Sequence, residues 1–459
     1  MLAAMASTML AGCVVGPKYT APDAPELALI SPEAAALGPR AMTADQAWWL
    51  FFEEPELNRL IDRALTHNHD VRQGQARLQA ARAVFDERQL ERWPAITSSA
   101  SQHRGISQRP GADGRPERAL SEQYRVGFDT QWEVDLFGRL QHLSQSARAR
   151  AEASAAELRL LRLSIAAEVA RVYYQAQGLQ QQLALAQAQQ RSWAETVAIT
   201  AAQVRLGSGL PEDLANARSQ LSRSEAAVPS VSTALQQARY RLDVLTGHEP
   251  GHREGPFAAP APAPLAKNLP LGDVNALIRQ RPDVVRAERL LAASTADVGA
   301  ATADLLPRLN LGGFLGFIAL RGGDIGSASR GFELTPNVSW PALQLGNARA
   351  RLRAAQAGSS GALAQYEQAV LLAQEEVEGA VTQLVQHQDR LKALWQSAEQ
   401  AQQALAIANK RHRAGSGAYL SVLANQRMVY EVKQALLNAE TDSYVNVVAL
   451  YKALGWGQS

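Results

Sequence analysis

Few residues in this chain have types and spacings suited to chemistry, and most can be assigned quickly. His248-Glu249-Pro250-Gly251-His252 matches His-Glu-x-x-His by its letters. In a zinc hydrolase that spacing puts two imidazoles on one helical face, with the Glu as general base. Pro250-Gly251 breaks any helix through the motif, so the stretch reads as a linker. His67 and His69 are two residues apart, which on a helix points them to different faces. That spacing suits a solvated helix better than a metal site. Gly-x-x-x-x-Gly-Lys and Gly-x-Ser-x-Gly are both missing, so phosphate-loop and nucleophile-elbow chemistry have no seat. No catalytic residue, metal ligand or cofactor is expected.

One side chain does carry a specific reading. Cys13 is the only cysteine among 459 residues, which rules out an internal disulfide and a thiolate metal cluster. Met1 to Gly12 is apolar but shorter than the ~20 residues a spanning helix needs, and it ends in small residues as a signal peptide does. Leu10-Ala11-Gly12-Cys13 then reads as a lipobox. Residues 1–12 are expected to be removed and Cys13 to carry a covalent lipid, the only non-protein group expected. No Lys or Arg precedes Cys13, so the positive segment of a signal peptide is missing and the expected start lies upstream of Met1. The Pro- and Ala-rich stretch 13–45 suits an extended, lipid-anchored tether.

Composition narrows the partners. The net charge is +2, with 20% charged residues and no block of like charge, so nucleic acid is not expected. Only five Met occur, three of them before Cys13, so no Met-rich cluster argues for copper.

The elements that position everything else come in two copies. Pro94 pairs with Pro307 and Asp70-Val71 with Asp283-Val284 at an offset of 213. At an offset of 208, Gly138 pairs with Gly346, Arg205-Leu206-Gly207-Ser208-Gly209 with Arg413-Ala414-Gly415-Ser416-Gly417, and Gly247 with Gly455. A period this long is a duplicated unit rather than a solenoid. The expected layout is a first repeat over 46–248, a Pro-rich linker over 249–271 and a second repeat over 272–459. Each repeat reads as helix, strand, loop, strand, very long helix, tight turn, long helix. The opening helix is predicted from Pro55 to Arg92, stopping before Pro94. Leu140 to Arg205 lacks proline and is dominated by good helix formers. Helix over that whole span would be ~100 Å long. The second copy predicts the same from Ala348 to Arg413. Leu158, Leu161, Ile165, Val169 and Val172 form an apolar stripe of the coiled-coil kind, a wall rather than a ligand box.

The strands point to the environment. Tyr124, Val126, Phe128, Thr130, Trp132, Val134 and Leu136 alternate with Gln123, Arg125, Gly127, Asp129, Gln131, Glu133 and Asp135. Phe332, Leu334, Pro336, Val338 and Trp340 alternate with polar residues in the second copy. An apolar, aromatic face opposite a charged one over ~10 residues is the pattern of a membrane barrel strand. Arg125, Asp129, Glu133 and Asp135 are then expected in the lumen. Residues 103–121 and 320–331 read as exposed loops, and 95–104 as a weak strand. Four strands cannot close a barrel in lipid, where an open edge leaves backbone groups unsatisfied. The chain must therefore share a barrel with copies of itself, two at least; three would give twelve strands.

With these features in place, the chain resembles the TolC-like outer-membrane factors, in the lipoprotein branch of the OprM and NodT-like proteins of tripartite efflux systems. The resemblance rests on Phe51-Phe52-Glu53-Glu54-Pro55-Glu56-Leu57, Trp132-Glu133-Val134-Asp135-Leu136-Phe137-Gly138-Arg139, Arg281-Pro282-Asp283-Val284, Leu306-Pro307, and Tyr451-Lys452-Ala453-Leu454-Gly455-Trp456. It implies a mixed α+β, mostly α protomer of a homotrimer, with a twelve-stranded outer-membrane barrel above a periplasmic helical tunnel. Val14, where inner-membrane lipoproteins carry Asp, fits the outer membrane. The channel would be passive, taking substrate from a periplasmic adaptor (membrane fusion) protein and an inner-membrane, proton-driven transporter of the resistance-nodulation-division (RND) type. A type I protein-secretion duct is the alternative on the same fold, and a periplasmic adaptor fits the strands poorly. By the resemblance, Arg205, Leu206, Gly207, Ser208, Arg413, Gly415 and Ser416 are the adaptor-contact tip, although simple turn chemistry accounts for the glycines as well. The gate would involve Asn409, Arg411 and Arg413. Asn409 stands where the family places an Asp, so closure is expected to lean less on an acidic ring.

Overall fold

The computed structural model describes residues 14–22, 47–110, 112, 114–252, 255–258 and 278–456. Cys13, the signal segment 1–12, tether residues 23–45 and linker residues 259–271 lie outside the described residues. The elements run α1 (Pro55–His67), α2 (His69–Leu90), β1 (Ala95–Pro110), β2 (Pro116–Val134), α3 (Arg139–Arg205) and α4 (Pro211–Leu245). The second copy follows with α5 (Pro282–Ala303), β3 (Arg308–Ala319), β4 (Arg330–Ser339), α6 (Leu345–Arg413) and α7 (Tyr419–Ala453). α3 and α6 have 67 and 69 residues, close to the spans expected from their proline-free composition. In the expected stripe, Ile165, Val169 and Val172 are buried.

The expected single opening helix is in fact two. Asn68 lies between α1 and α2 with ψ 132°, outside helical space. Its Oδ1 accepts from the backbone N–H of Asp70 and Val71, capping α2, and its Nδ2 donates to the Leu245 carbonyl at the end of α4. Asn is a strong N-cap, and a cap that also anchors a neighbouring helix end outweighs helix continuity.

Four long-helix ends share one terminator. Ser208 N–H bonds to Gln203 O while Gly207 N–H bonds to Val204 O; Ser416 and Gly415 repeat this on Arg411 and His412. His248 with Gly247, and Trp456 with Gly455, do the same at the ends of α4 and α7. This is the Schellman pattern, which requires a left-handed residue. Gly207, Gly247, Gly415 and Gly455 have φ between 71° and 76°. The Gly138 and Gly346 pair breaks the symmetry: Gly138 has φ 80°, whereas Gly346 lies within α6.

The chain divides into two compact units. The first gathers Arg77–Ala155, Arg286–Glu367 and the described residues before Asp23. Its sheet is antiparallel in the order β1-β2-β3-β4, so the two copies join at β2 and β3, and the outer edges belong to β1 and β4. Residues 103–110 and 116–121, expected as loop, instead pair from His103↔Gln123 to Pro110↔Pro116. Cross-strand pairing gives this polar ribbon an order that its composition does not advertise. Between β3 and β4 the expected loop does occur, carrying two short 3-10 turns.

The second unit holds the remaining described residues around an aromatic core. Trp48 stacks on Tyr451 with centroids 5.6 Å apart, and Tyr174 on Tyr444 at 4.4 Å. Phe52 packs on Tyr174, and Trp456 on Tyr451. Phe257, within the expected linker, is buried, with its backbone N–H and carbonyl both bonded to the Gln180 side chain. Glu54 sits among these rings and accepts a bond from Gln177. Burial pushes its carboxyl above the ordinary value of 4.5. A raised folded pKa means the fold binds the proton more tightly, so this group costs stability as pH rises from about 4.5 through the folded value. Glu54→Gln is therefore expected to raise the melting temperature more at pH 7 than at pH 4. Equal shifts at both pH values would refute that assignment.

Candidate functional site: channel wall and helical tips

Strand register sorts the sheet into two faces. Phe128, Leu315 and Phe332 share one row, and Asp129, Phe314 and Glu333 the adjacent row on the opposite face. Continued along the strands, one face carries Ile96, Val126, Phe128, Trp132, Leu309, Leu311, Leu315, Phe317, Phe332, Leu334 and Val338. Phe128, Leu315 and Phe332 are 57%, 67% and 82% exposed, which makes this a surface without a partner in the isolated chain. The other face carries Thr97, Ser99, Ser101, Gln123, Arg125, Asp129, Gln131, Glu133, Asn310, Thr335 and Asn337.

The expected lumen charges are already engaged with one another or with the wall. Arg125 pairs with Asp129 at 2.7 Å, and Asp129 accepts from the Ser99 hydroxyl. The Arg125 guanidinium also lies 3.7 Å above the ring of Phe314, within cation–π range. Phe314 was not singled out in the sequence, yet it is only 4% exposed on a mostly polar face that also carries Ile318. Its ring lies across Gly127 and Gly316, where any Cβ would come within 2.8 Å of it. Glu133 turns to the base of the strand, where Arg139 grips it through two bonds at 2.8 and 2.7 Å. Asp135 lies beyond the end of β2 and accepts from the Gln141 backbone N–H in the first turn of α3. Thus Arg125 and Asp129 form one cluster, while Glu133 and Asp135 secure the strand-to-helix junction.

Two tryptophans mark that junction in both copies. Trp132 Nε1–H donates to Arg92 O, and Trp340 Nε1–H donates to Leu305 O, both at 3.1 Å. Trp93 nearby is 71% exposed. The first described residues are docked at the same level. Val15 N–H bonds to Phe137 O, and Val15 O lies 2.8 Å from His142 Nε2. Val14 packs against Gly138, Gly16 against Gly299, and Tyr19 donates to Glu288. Gly138 needs its left-handed backbone and its missing side chain here, whereas Gly346 is helical and a Cβ there would meet nothing within 4 Å. Residues 14–22, within the expected lipid-anchored tether, are thus held against the wall. Cys13 itself lies outside the described residues.

The other candidate region lies in the second unit. α3–α4 and α6–α7 are hairpins, and Gln426 of α7 donates to Ser192 of α3, so the two pack side by side. Arg205, Leu206, Gly207 and Ser208 are all exposed, Leu206 at 81%, as are Arg413, Gly415 and Ser416. Asn409 is half-buried, whereas Arg411 and Arg413 are exposed. His412, which sequence reasoning passed over, bonds to Gly417 O and packs on Tyr419 with centroids 5.0 Å apart.

The histidine motifs resolve differently. His67 faces Arg63 O, and His69 faces Arg72. His248 and His252 lie beyond the end of α4, yet their rings stack at 3.9 Å. Burial, then Arg63 and His252, lower the His248 pKa. Among the described residues no three His, Cys, Asp or Glu are placed to hold a metal ion. No described helix is long and apolar enough to cross a membrane.

Comparison with known proteins extends this geometry. The model of the outer membrane efflux protein family matches residues 60–248 and 274–456, so its two segments fall on the two copies. The chain is 30% identical to the solvent efflux pump outer membrane protein SrpC of Pseudomonas putida, covering 98% of this chain and 97% of that one. It is 27% identical to the probable outer membrane lipoprotein SilC of Salmonella typhimurium, over 98% and 96%. The solved structure of the outer-membrane channel OprN superposes with a TM-score of 0.90 at 39% identity, covering 97% of this chain and all of that one.

Proposed function

Because the chain belongs to the outer membrane efflux protein family, we propose that it is the passive outer-membrane duct of a tripartite pump, fed by a periplasmic adaptor and an RND-type inner-membrane transporter. The protein is an outer-membrane efflux component whose solved neighbours are outer-membrane channels. The observation that carries the mechanism is the four-stranded sheet, apolar on one face, mostly polar on the other, and, among the described residues, unpaired at both edges. Backbone groups left open in lipid are costly, so the edge of β4 must meet the edge of β1 in another copy. Three copies close twelve strands, with Arg125, Asp129 and Phe314 on the inside. On that wall Arg125 is balanced by Asp129 and Glu133 by Arg139, which suits a conduit rather than a tight binding site.

The docked segment 14–22 supports a lipid on Cys13 that enters the bilayer beside the Trp132 level. The hairpin ends support docking of the adaptor, with Leu206 as the apolar contact. The decisive experiment is site-specific crosslinking in intact cells from probes at Leu206 and Ala414, followed by identification of the captured protein. Capture of an adaptor belonging to a proton-driven pump is expected. An ABC-linked adaptor would move the function to protein secretion, and no capture would sink the tip assignment.

Closure of the periplasmic end is proposed to rest on packing and on Arg411 or Arg413 rather than on Asn409, whose amide can hydrogen-bond but cannot ion-pair. Asn409→Ala is expected to leave ion leak through the purified channel unchanged, while Arg413→Ala increases it. The opposite pattern would refute this reading.

A further inference from the structure

The outward face of the sheet has an upper boundary that the apolar band alone does not explain. The band runs from the row of Val134, Leu309 and Val338 to the row of Val126 and Phe317. Eight residue steps at ~3.4 Å, tilted by ~40°, give ~21 Å of height, close to the ~25 Å apolar belt of outer-membrane barrels. At the last row and over the two rows above it the same face changes character, before Ile106 and Leu120 add one further apolar pair beyond them. Arg330 is level with Phe317 and Val126; Tyr124 follows, bonded to Gln102; then come Arg104 and Glu122, joined at 2.9 Å. Arg118 lies further along the same face, on the ribbon that extends past β3. Outward-facing strand charge at the last row and above it is therefore three Arg against one Glu. The Arg104 side chain remains 64% exposed despite its ion pair, and Arg330 is exposed on the edge strand.

We propose that Arg104, Arg330 and Tyr124 form a docking surface for the phosphate groups of the outer leaflet's phosphorylated glycolipid. The geometry calls for a ligand with apolar chains below and anionic groups at the rim, in that order along the strand. Guanidinium suits such a ligand because its planar fork binds phosphate through paired donors. Tyr124 adds an amphipathic ring at the headgroup level. Closure of β4 against the β1 of the next copy puts Arg330 and Arg104 on the same outward face of adjoining strands, so the surface forms at the protomer seam. A lipid bound there would tie two copies together as well as filling the belt.

The inference rests on the barrel reading, and its test separates the two. Purified trimer would be melted in detergent with added lipid A, dephosphorylated lipid A, phosphatidylethanolamine vesicles or inorganic phosphate. Lipid A is expected to raise the melting temperature of the wild-type trimer by about 3 °C or more, by preferential binding to the assembled state; the other three additions should do much less. Arg104→Gln with Arg330→Gln should lose at least about half of that shift while melting normally without lipid, because each basic group contributes to headgroup attraction. Arg104→Lys with Arg330→Lys should keep most of it, which guards against a folding defect. An equal shift from dephosphorylated lipid A, or a full shift in the Gln variant, would overturn the proposal. Failure of the wild-type chain to form any stable trimer would instead sink the barrel reading.

Discussion

Replacement of Arg281 by Ala should be the most damaging single change to the fold outside the barrel. Arg281 precedes α5, with Pro282 at the first helical position, and its side chain is only 5% exposed. From there it donates two bonds to Asp283, one to Glu376 on α6 and one to the Ala453 carbonyl at the end of α7. One guanidinium thus joins the start of α5, the middle of α6 and the last turn of α7. Glu376 is 57% exposed, so that limb is screened and contributes little by itself. The Asp283 and Ala453 limbs are the costly ones, since removal leaves a carboxylate and a buried carbonyl without their donor. Deleting one partner of a buried ion pair typically costs about 3–5 kcal/mol. That is a large share of a domain's usual stability of about 5–15 kcal/mol. Arg281→Ala is expected to lower the melting temperature of the solubilised trimer sharply and to reduce its level in the membrane. Arg281→Lys should rescue only in part, because a point ammonium cannot make the paired contact and reach the carbonyl too. A melting curve for the Ala variant that overlays the wild type would show that these bonds do not hold the unit together.

Leu206→Asp should be the most damaging change to function that leaves the fold intact. Leu206 follows the last residue of α3, one residue before the Schellman glycine, and is 81% exposed, so its loss removes little packing. Surface substitutions of this kind usually change stability by less than about 0.5 kcal/mol. If the residue is the apolar contact with an adaptor, a carboxylate there must be desolvated on docking. Loss of a hot-spot contact commonly costs 2 kcal/mol or more, or about 30-fold in affinity. The expected result is a trimer that melts normally, with adaptor capture reduced at least about tenfold and cells made sensitive to the pump's substrates. Unchanged sensitivity would place the docking surface elsewhere on the hairpins.

Much of this architecture was legible because it rests on local rules. The long helices follow from proline-free runs of Ala, Leu, Gln, Glu and Arg, and their ends from glycines that must adopt positive φ. The Gly247 and Gly455 match, the faintest of the paired landmarks in sequence, turns out to be two copies of one helix terminator. Alternation exposed β2 and β4, since a period of two survives in the letters whenever one face is apolar.

What was missed depends on partners far away in the chain. Asn68 reads as one more polar residue in a helix until the Leu245 carbonyl is beside it. The β1–β2 ribbon over 103–110 and 116–121 is mostly polar on both faces, with only Ile106 and Leu120 as an exposed large apolar pair, and its order comes from cross-strand hydrogen bonds rather than from burial. Glu133 and Asp135 belong to the polar alternation, but the start of α3 claims both. Phe314 breaks the polar pattern of its face, and only the opposed glycines of β2 and β3 show why a ring fits there. By itself the sequence determined the duplication, the long helical hairpins, the amphipathic strands and the need for more than one copy. Each of these follows from chain-local conformational preference or from the cost of an open strand edge in lipid. Only the tertiary structure decided which charges stay free, where the N-terminal segment docks and how the two copies share one sheet. Those outcomes are pairings between distant residues, and local preference does not encode them.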